Sequence, residues 1–220
     1  MPSKKPYKFQ DLVGKKIKYT TREKRIIRGL KPLVGGEWEG KIKPTSSIQR
    51  KERDELKGAI KKKLYKIQGH YCIYCGCHEE HTGMTLHREH ILPKGVASYP
   101  EFMFEDYNLV LACITCNNGY KKTFDCGTGE KTNYKKNKFS IVHPYFHKFK
   151  DHIEFYPKDG NVIIRHVKYS RKGKATIKLF GLDSPNRTEK RSALIMKNEI
   201  KIPSSYDAIL ETILSSKYVK

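Results

Sequence analysis

The 220-residue chain is short of acid. It carries 23 Asp and Glu against 45 Lys and Arg, a formal net charge of +22. Over residues 1–70 the count is 21 basic to 7 acidic, so about two-thirds of the excess lies in the first third. Such an imbalance calls for a polyanionic partner, because each lysine or arginine set against a phosphate releases condensed counterions. A long apolar run is missing too, as are a signal-peptide pattern and a lipidation motif. These absences argue against a membrane protein and lead to the expectation of a cytoplasmic one. There is no internal repeat and no low-complexity tract beyond lysine enrichment. The length allows one sizeable domain, or a small one with extensions.

What is present begins with six cysteines. Without a secretory signal they argue against a disulfide framework, and two C-x-x-C pairs, Cys72/Cys75 and Cys113/Cys116, read as metal binding in a reducing compartment. Two such knuckles close a tetrahedral shell of four thiolates, a structural zinc site with no open position. Their separation exceeds the usual ribbon spacing, so a supersecondary element must be inserted between them. Cys77, Cys126, His78 and His81 read as unligated neighbours, and His70 and His87 have no argument beyond proximity.

The sequence divides into a basic extension (1–45), a helix with the metal-binding core (46–125) and a C-terminal region (126–220). The extension is either an arm that orders on a partner or a short β element packed on the fold. A helix is expected to start near Ser46–Ser47, with Glu52 early in it and Ile48, Leu56, Ile60, Leu64 and Ile67 forming an apolar stripe. Lys57, Lys61, Lys62 and Lys66 line its other side, and Gly69 ends it. Beyond the core, HIEFYPKDGNVIIRHVKY reads as a hairpin turning at Asp159-Gly160. KATIKLF suggests a third strand, and two helices should follow, one after Asp183-Ser184-Pro185 and one from about Ser205. His143, His147 and His152 suit packing better than a second metal site.

The insertion reads as a strand (84–91), a long loop (92–106), a second strand (107–112) and a helix from about Asn117. It holds Glu89 and His90. Adjacent strand residues point to opposite faces, so both can serve one site only at a distorted strand end, and Pro93 is placed to end pairing there. Phosphodiester hydrolysis needs a base for water and a hard cation with open positions. A neutral histidine is the natural base near neutral pH. A carboxylate with an amide oxygen from CNNGYKK is a sparse oxygen shell suited to Mg²⁺ or Mn²⁺.

HREHILPKG…YNLVLACITCNNGYKK resembles the HNH endonuclease family over about residues 70–122. That resemblance implies a ββα-metal core with zinc knuckles, which together with the flanking helices and the C-terminal hairpin and helical region makes an α+β fold. It implies His90 as general base, Glu89 as metal ligand, Asn108 as a brace of the loop, and Asn117 or Asn118 as the second ligand. Asn117 follows the cysteine directly, whereas Asn118 keeps the family's three-residue step to Lys121; Asn117 is favoured. Hydrolysis would leave a 5′ phosphate and a 3′ hydroxyl. Lys94, Lys121 and Lys122 are candidate phosphate contacts. EHILPKG…YPEFMFEDYNLVLAC and VHPYFHKFKDHI further resemble HNH proteins of bacterial antiphage systems of the Septu and retron-associated type, which implies an ATPase subunit as partner. The substrate expected is nucleic acid, DNA ahead of RNA. The competing reading is a non-catalytic zinc module that binds nucleic acid within a larger complex.

Overall fold

The computed structural model describes residues 5–42, 48–83, 85–95, 97–158 and 161–200, and shows a mixed α/β chain with two small antiparallel sheets. In chain order the main elements are α1 (Thr21–Gly29), α2 (Arg50–Gln68), α3 (Glu79–Thr82), β1 (His87–His90) and β2 (Leu109–Ala112). A π-helical turn (Thr115–Lys121), β3 (Ile153–Lys158), β4 (Asn161–His166), α4 (Arg171–Phe180) and α5 (Pro185–Ile200) complete them. Ser46–Ser47, Asp159-Gly160 and the helix expected from Ser205 lie outside the described residues.

Among its described residues the first segment packs on the fold, through helix α1 and through an antiparallel β-bridge of Tyr7 with Cys77. Leu12, Ile17, Ile26, Leu30 and Trp38 are buried in one apolar cluster that also takes in the cysteine knuckles and α4. Helix α1 forms because Thr20 and Glu23 make a reciprocal cap, Glu23 N donating to Thr20 Oγ1 (3.2 Å) and Thr20 N to Glu23 Oε2 (2.6 Å). Ion pairs Arg22–Glu55 and Arg25–Glu52 lay it along α2.

Helix α2 buries Leu56, Ile60 and Leu64 from the expected stripe, each worth about 1.5–3 kcal/mol on full burial. Its last residue, Gln68, acts as a strand surrogate. Its side-chain amide donates to Leu111 O (2.7 Å) and accepts from Leu111 N (2.9 Å), completing the open edge of β2. Lys62 and Lys66 are exposed as expected. Lys57 instead leans over the Trp38 ring, 5.5 Å from its centroid.

Strands β1 and β2 pair in the register Glu89↔Val110 and His90↔Leu109, so both candidate residues end a strand. The π-helical turn opens two residues before Asn117. The C-terminal hairpin is present as β3 and β4. The third strand is not: KATIKLF lies in helix α4. Ser170 caps it by accepting from Gly173 N (2.9 Å), Gly181 ends it at φ 55°, and Gly173, Thr176, Ile177 and Phe180 form its buried face. Gly173 is required there, since a Cβ would lie 2.0 Å from His152 O.

Candidate active site and metal centre

The first knuckle is a tight turn. Cys72 N donates to Cys77 O (2.8 Å) and Gly76 N to Cys72 O (2.9 Å), with Gly76 at φ 72°. Pro6, Tyr7 and Lys8 strap its outer side: Lys8 N donates to Gly76 O (2.7 Å) and His78 N to Pro6 O (2.9 Å). A Cβ on Gly76 would meet the Lys8 backbone at 3.0 Å, so only glycine permits the strap. The sulfurs of Cys72, Cys75, Cys113 and Cys116 are all buried and lie within 4.8 Å of one another. Four soft donors at that spacing fit a structural zinc ion. Cys77 Sγ lies 3.3 Å from Cys75 Sγ but outside the quartet, and Arg187 Nη2 donates to Cys116 Sγ at 3.5 Å. That guanidinium places a positive charge where a thiolate cluster with zinc keeps an excess of negative charge.

Glu89 and His90 are both nearly buried, at 6% and 7% exposure. His90 Nε2 lies 3.0 Å from Met103 O. A carbonyl only accepts, so Nε2 carries the proton, and in the neutral ring Nδ1 keeps a lone pair. Trp38 meets the imidazole edge-on at 4.7 Å between ring centroids. Burial first, then the charge of Lys94, pushes the His90 pKa down to about 3, so the ring stays neutral. The Glu89 carboxyl is pushed up to about 7 by burial, against the pull of Lys121 and a hydrogen bond from the His90 backbone. Its Oε1 is buried with no hydrogen-bond partner among the described residues. Lys121 Nζ is 3.7 Å away, beyond hydrogen-bond reach. The charges of Lys94 and Lys121 lower the pKa of both the Glu89 carboxyl and the His90 imidazole.

Asn108, wholly buried, ties the ends of the loop together. Its Nδ2 donates to Leu92 O (3.1 Å) and Phe102 O (3.0 Å), and its Oδ1 accepts from Leu92 N (2.7 Å) and Tyr134 Oη (3.2 Å). Asn117 Nδ2 lies 3.4 Å from Arg88 O, which brings that side chain to β1 beside Glu89. Asn118 is exposed.

The lysines divide differently from expectation. Lys121 is no surface phosphate contact: its side chain is fully buried, Nζ donating to Phe124 O (2.8 Å) with Glu89 as the nearby acid. The cause is the wider π-helical turn, in which Lys122 N donates to Asn117 O (2.8 Å) and the residue phase shifts. Lys94 is ion-paired with Glu39, and Lys122 is exposed.

Over 128 residues, 58% of this chain, the sequence is 26% identical to the Septu protein PtuB of Bacillus thuringiensis. The match spans 42% of that protein's length. No family model matches the chain.

Other groups were not anticipated. Trp38 and Glu39 reach the site from the first segment, and neither carries a local signal that it will. Arg187, at the start of α5, is remote in sequence from the cysteine it serves. His143 is fully buried and bonded to Tyr134 Oη (2.9 Å); His147 Nδ1 accepts from His143 N (2.9 Å), and His152 bonds Ser170 (2.7 Å). Among the described residues the four-cysteine group is the one metal-ligating cluster of three or more Cys, His, Asp or Glu. Cys126 is buried beside Ile91 O, and burial pushes its thiol up to about 12.

Proposed function

We propose that the chain is an HNH-type endonuclease, its β1–β2–π-helix unit being the ββα-metal core, acting on nucleic acid and on DNA by preference. The observation that carries this reading is the orphaned, buried Glu89 Oε1 beside a histidine held neutral in one tautomer. A buried carboxylate oxygen without a donor is costly unless a ligand completes it. Glu89 with Asn117 would hold Mg²⁺ or Mn²⁺, and the residues present fit: one carboxylate and one amide oxygen leave positions for substrate and water. When bound, such a cation stabilises charge developing on the phosphate and the leaving oxygen.

The chain's own residues do the rest. Met103 O fixes the Nε2 proton of His90, so Nδ1 takes the proton from the attacking water, which displaces the 3′ oxygen in line. Burial beside Trp38 keeps the imidazole neutral and its Nδ1 lone pair open to a proton. Asn108 holds the strand end and loop so that the base does not drift, and Lys121 balances the Glu89 charge from behind.

Similarity to a Septu protein supports a role in antiphage defence, as does the resemblance to that type of HNH protein, with an ATPase subunit as the partner it implies. Purified zinc-loaded protein should nick or linearise plasmid DNA with Mg²⁺ or Mn²⁺, alone or with its neighbouring gene products. His90→Ala should cut about 10²–10⁴-fold more slowly while binding DNA equally well. Binding with no cleavage under any of these conditions would favour the non-catalytic zinc module instead.

A further inference from the structure

The segment 34–42 crosses the candidate site and is built to stay there. Glu37, nearly buried, accepts from Val34 N and Gly35 N (both 2.9 Å) and closes the turn. Gly40, at φ 74°, lies so close to Arg53 of α2 that a Cβ would be 1.8 Å from Nη1. Between these anchors, Trp38 rests on the His90 ring at 4.7 Å and on Phe104 of the loop at 5.6 Å. The next residue, Glu39, is ion-paired with Lys94. Partial burial would raise the Glu39 carboxyl, but the Lys94 hydrogen bond and charge outweigh it and hold it below its ordinary value.

Glu39 directly follows the residue that meets the His90 ring, so the Glu39–Lys94 pair is set next to the imidazole's aromatic neighbour. Around it the cations Lys57 (5.5 Å) and Arg88 (5.7 Å) lie over the Trp38 indole. Arg88 also donates to Lys57 O at 2.8 Å, so the cationic edge is fixed. Asp54 already answers part of this cationic edge, 3.7 Å from Lys57, whereas Lys94 has Glu39 as its ion-pair partner. A carboxylate and a phosphate oxygen make the same kind of contact with an ammonium group.

We infer that Glu39 stands in for a backbone phosphate on Lys94, and that nucleic acid entering the site takes Lys94 from Glu39 next to the buried Trp38. Resting on the proposed nuclease reading for its substrate, the inference adds a phosphate contact, Lys94, and a built-in competitor, Glu39, with the buried Trp38 as the reporter beside them. The Glu39 carboxylate weakens non-productive binding, and the phosphate that displaces it lies beside the general base.

The test is a binding titration of the full zinc-loaded chain without added divalent cation, using a labelled duplex DNA and, separately, a single-stranded RNA. Glu39→Gln should tighten binding of at least one about threefold to fivefold, the scale of a displaced exposed ion pair. In a Lys94→Ala background the same change should give no more than Glu55→Gln, an exposed control that removes the same charge from the Arg22 pair. Trp38, the single tryptophan, should change its emission during the wild-type titration. Equal gains in both backgrounds would reduce Glu39 to bulk charge and overturn the inference. So would no gain with either nucleic acid, or an indole unmoved by binding. Failure of the nuclease reading shows separately, as binding without cleavage.

Discussion

The two ends of the β1–β2 unit are built on opposite terms. At the cysteine knuckles the turns are closed by short backbone hydrogen bonds, a strap covers the outside of the first, and a guanidinium reaches Cys116. At the Glu89–His90 end a carboxylate oxygen is left bare, a lysine is buried behind it, and an imidazole keeps a free lone pair. The first region has nothing left to bind once four sulfurs hold their ion. The second is stable only because its surroundings hold it, and its unmet bonding capacity is what chemistry can use. The cysteine quartet and the proposed reactive site thus differ in how completely their polar groups are satisfied.

Removing the closed end should have the largest effect. Cys72→Ser or Cys113→Ser should unfold the centre of the molecule, because binding energy at such a site, about 10–16 kcal/mol in small zinc modules, is folding energy. Loss of one zinc by native mass spectrometry, with loss of the cooperative melt, checks it. A wild-type melt in both variants would contradict the zinc assignment.

Next comes Lys121. Lys121→Met should destabilise by about 3 kcal/mol, the cost of leaving one member of a buried pair alone. Adding Glu89→Gln should return much of that loss, because the acid it strands is gone too. Denaturant midpoints of the two single variants and the double variant measure the coupling, and simple additivity would show that the two residues do not interact.

Smaller still is the effect of pH on the zinc-loaded chain without other cations. His90, held near 3 when folded, takes a proton in the unfolded chain below about pH 6.5, so stability falls as pH drops through that window. Glu89 works in the other direction. Its folded value of about 7 lies above its ordinary 4.5, so its contribution is present at low pH and lost as pH rises from 4.5 through 7. Denaturant midpoints against pH should show a flatter acid side in His90→Ala, and an unchanged slope would mean that the imbalance lies elsewhere.

How much of this was legible varied with how local the cause is. The cysteine quartet could be read because four ligands of one ion impose their own spacing, and α2 because Leu56, Ile60 and Leu64 repeat on one face. The signal for α1 was also local, in the Thr20–Glu23 cap, yet the basic residues around it draw the eye to charge. KATIKLF misleads through its β-branched residues, whereas the deciding features are Ser170, Gly181 and the close pass of Gly173 by the His152 carbonyl. Lys121 could not be placed from its neighbours, because a lysine in CNNGYKK looks solvated until the π-helical turn rotates it inward. Trp38 and Glu39 meet β1 and its loop only through the tertiary fold.

The measurement that bears most directly on the account is Mn²⁺ titration calorimetry of zinc-loaded protein. Wild type is compared with the Glu89→Gln/Lys121→Met double variant, which keeps the buried charges balanced. The account predicts one divalent-cation site beyond the zinc in wild type and none in the double variant, with the zinc content of both unchanged. Equal Mn²⁺ binding by the two proteins would contradict it, since the bare Glu89 oxygen would then be a cost of burial and not a ligand.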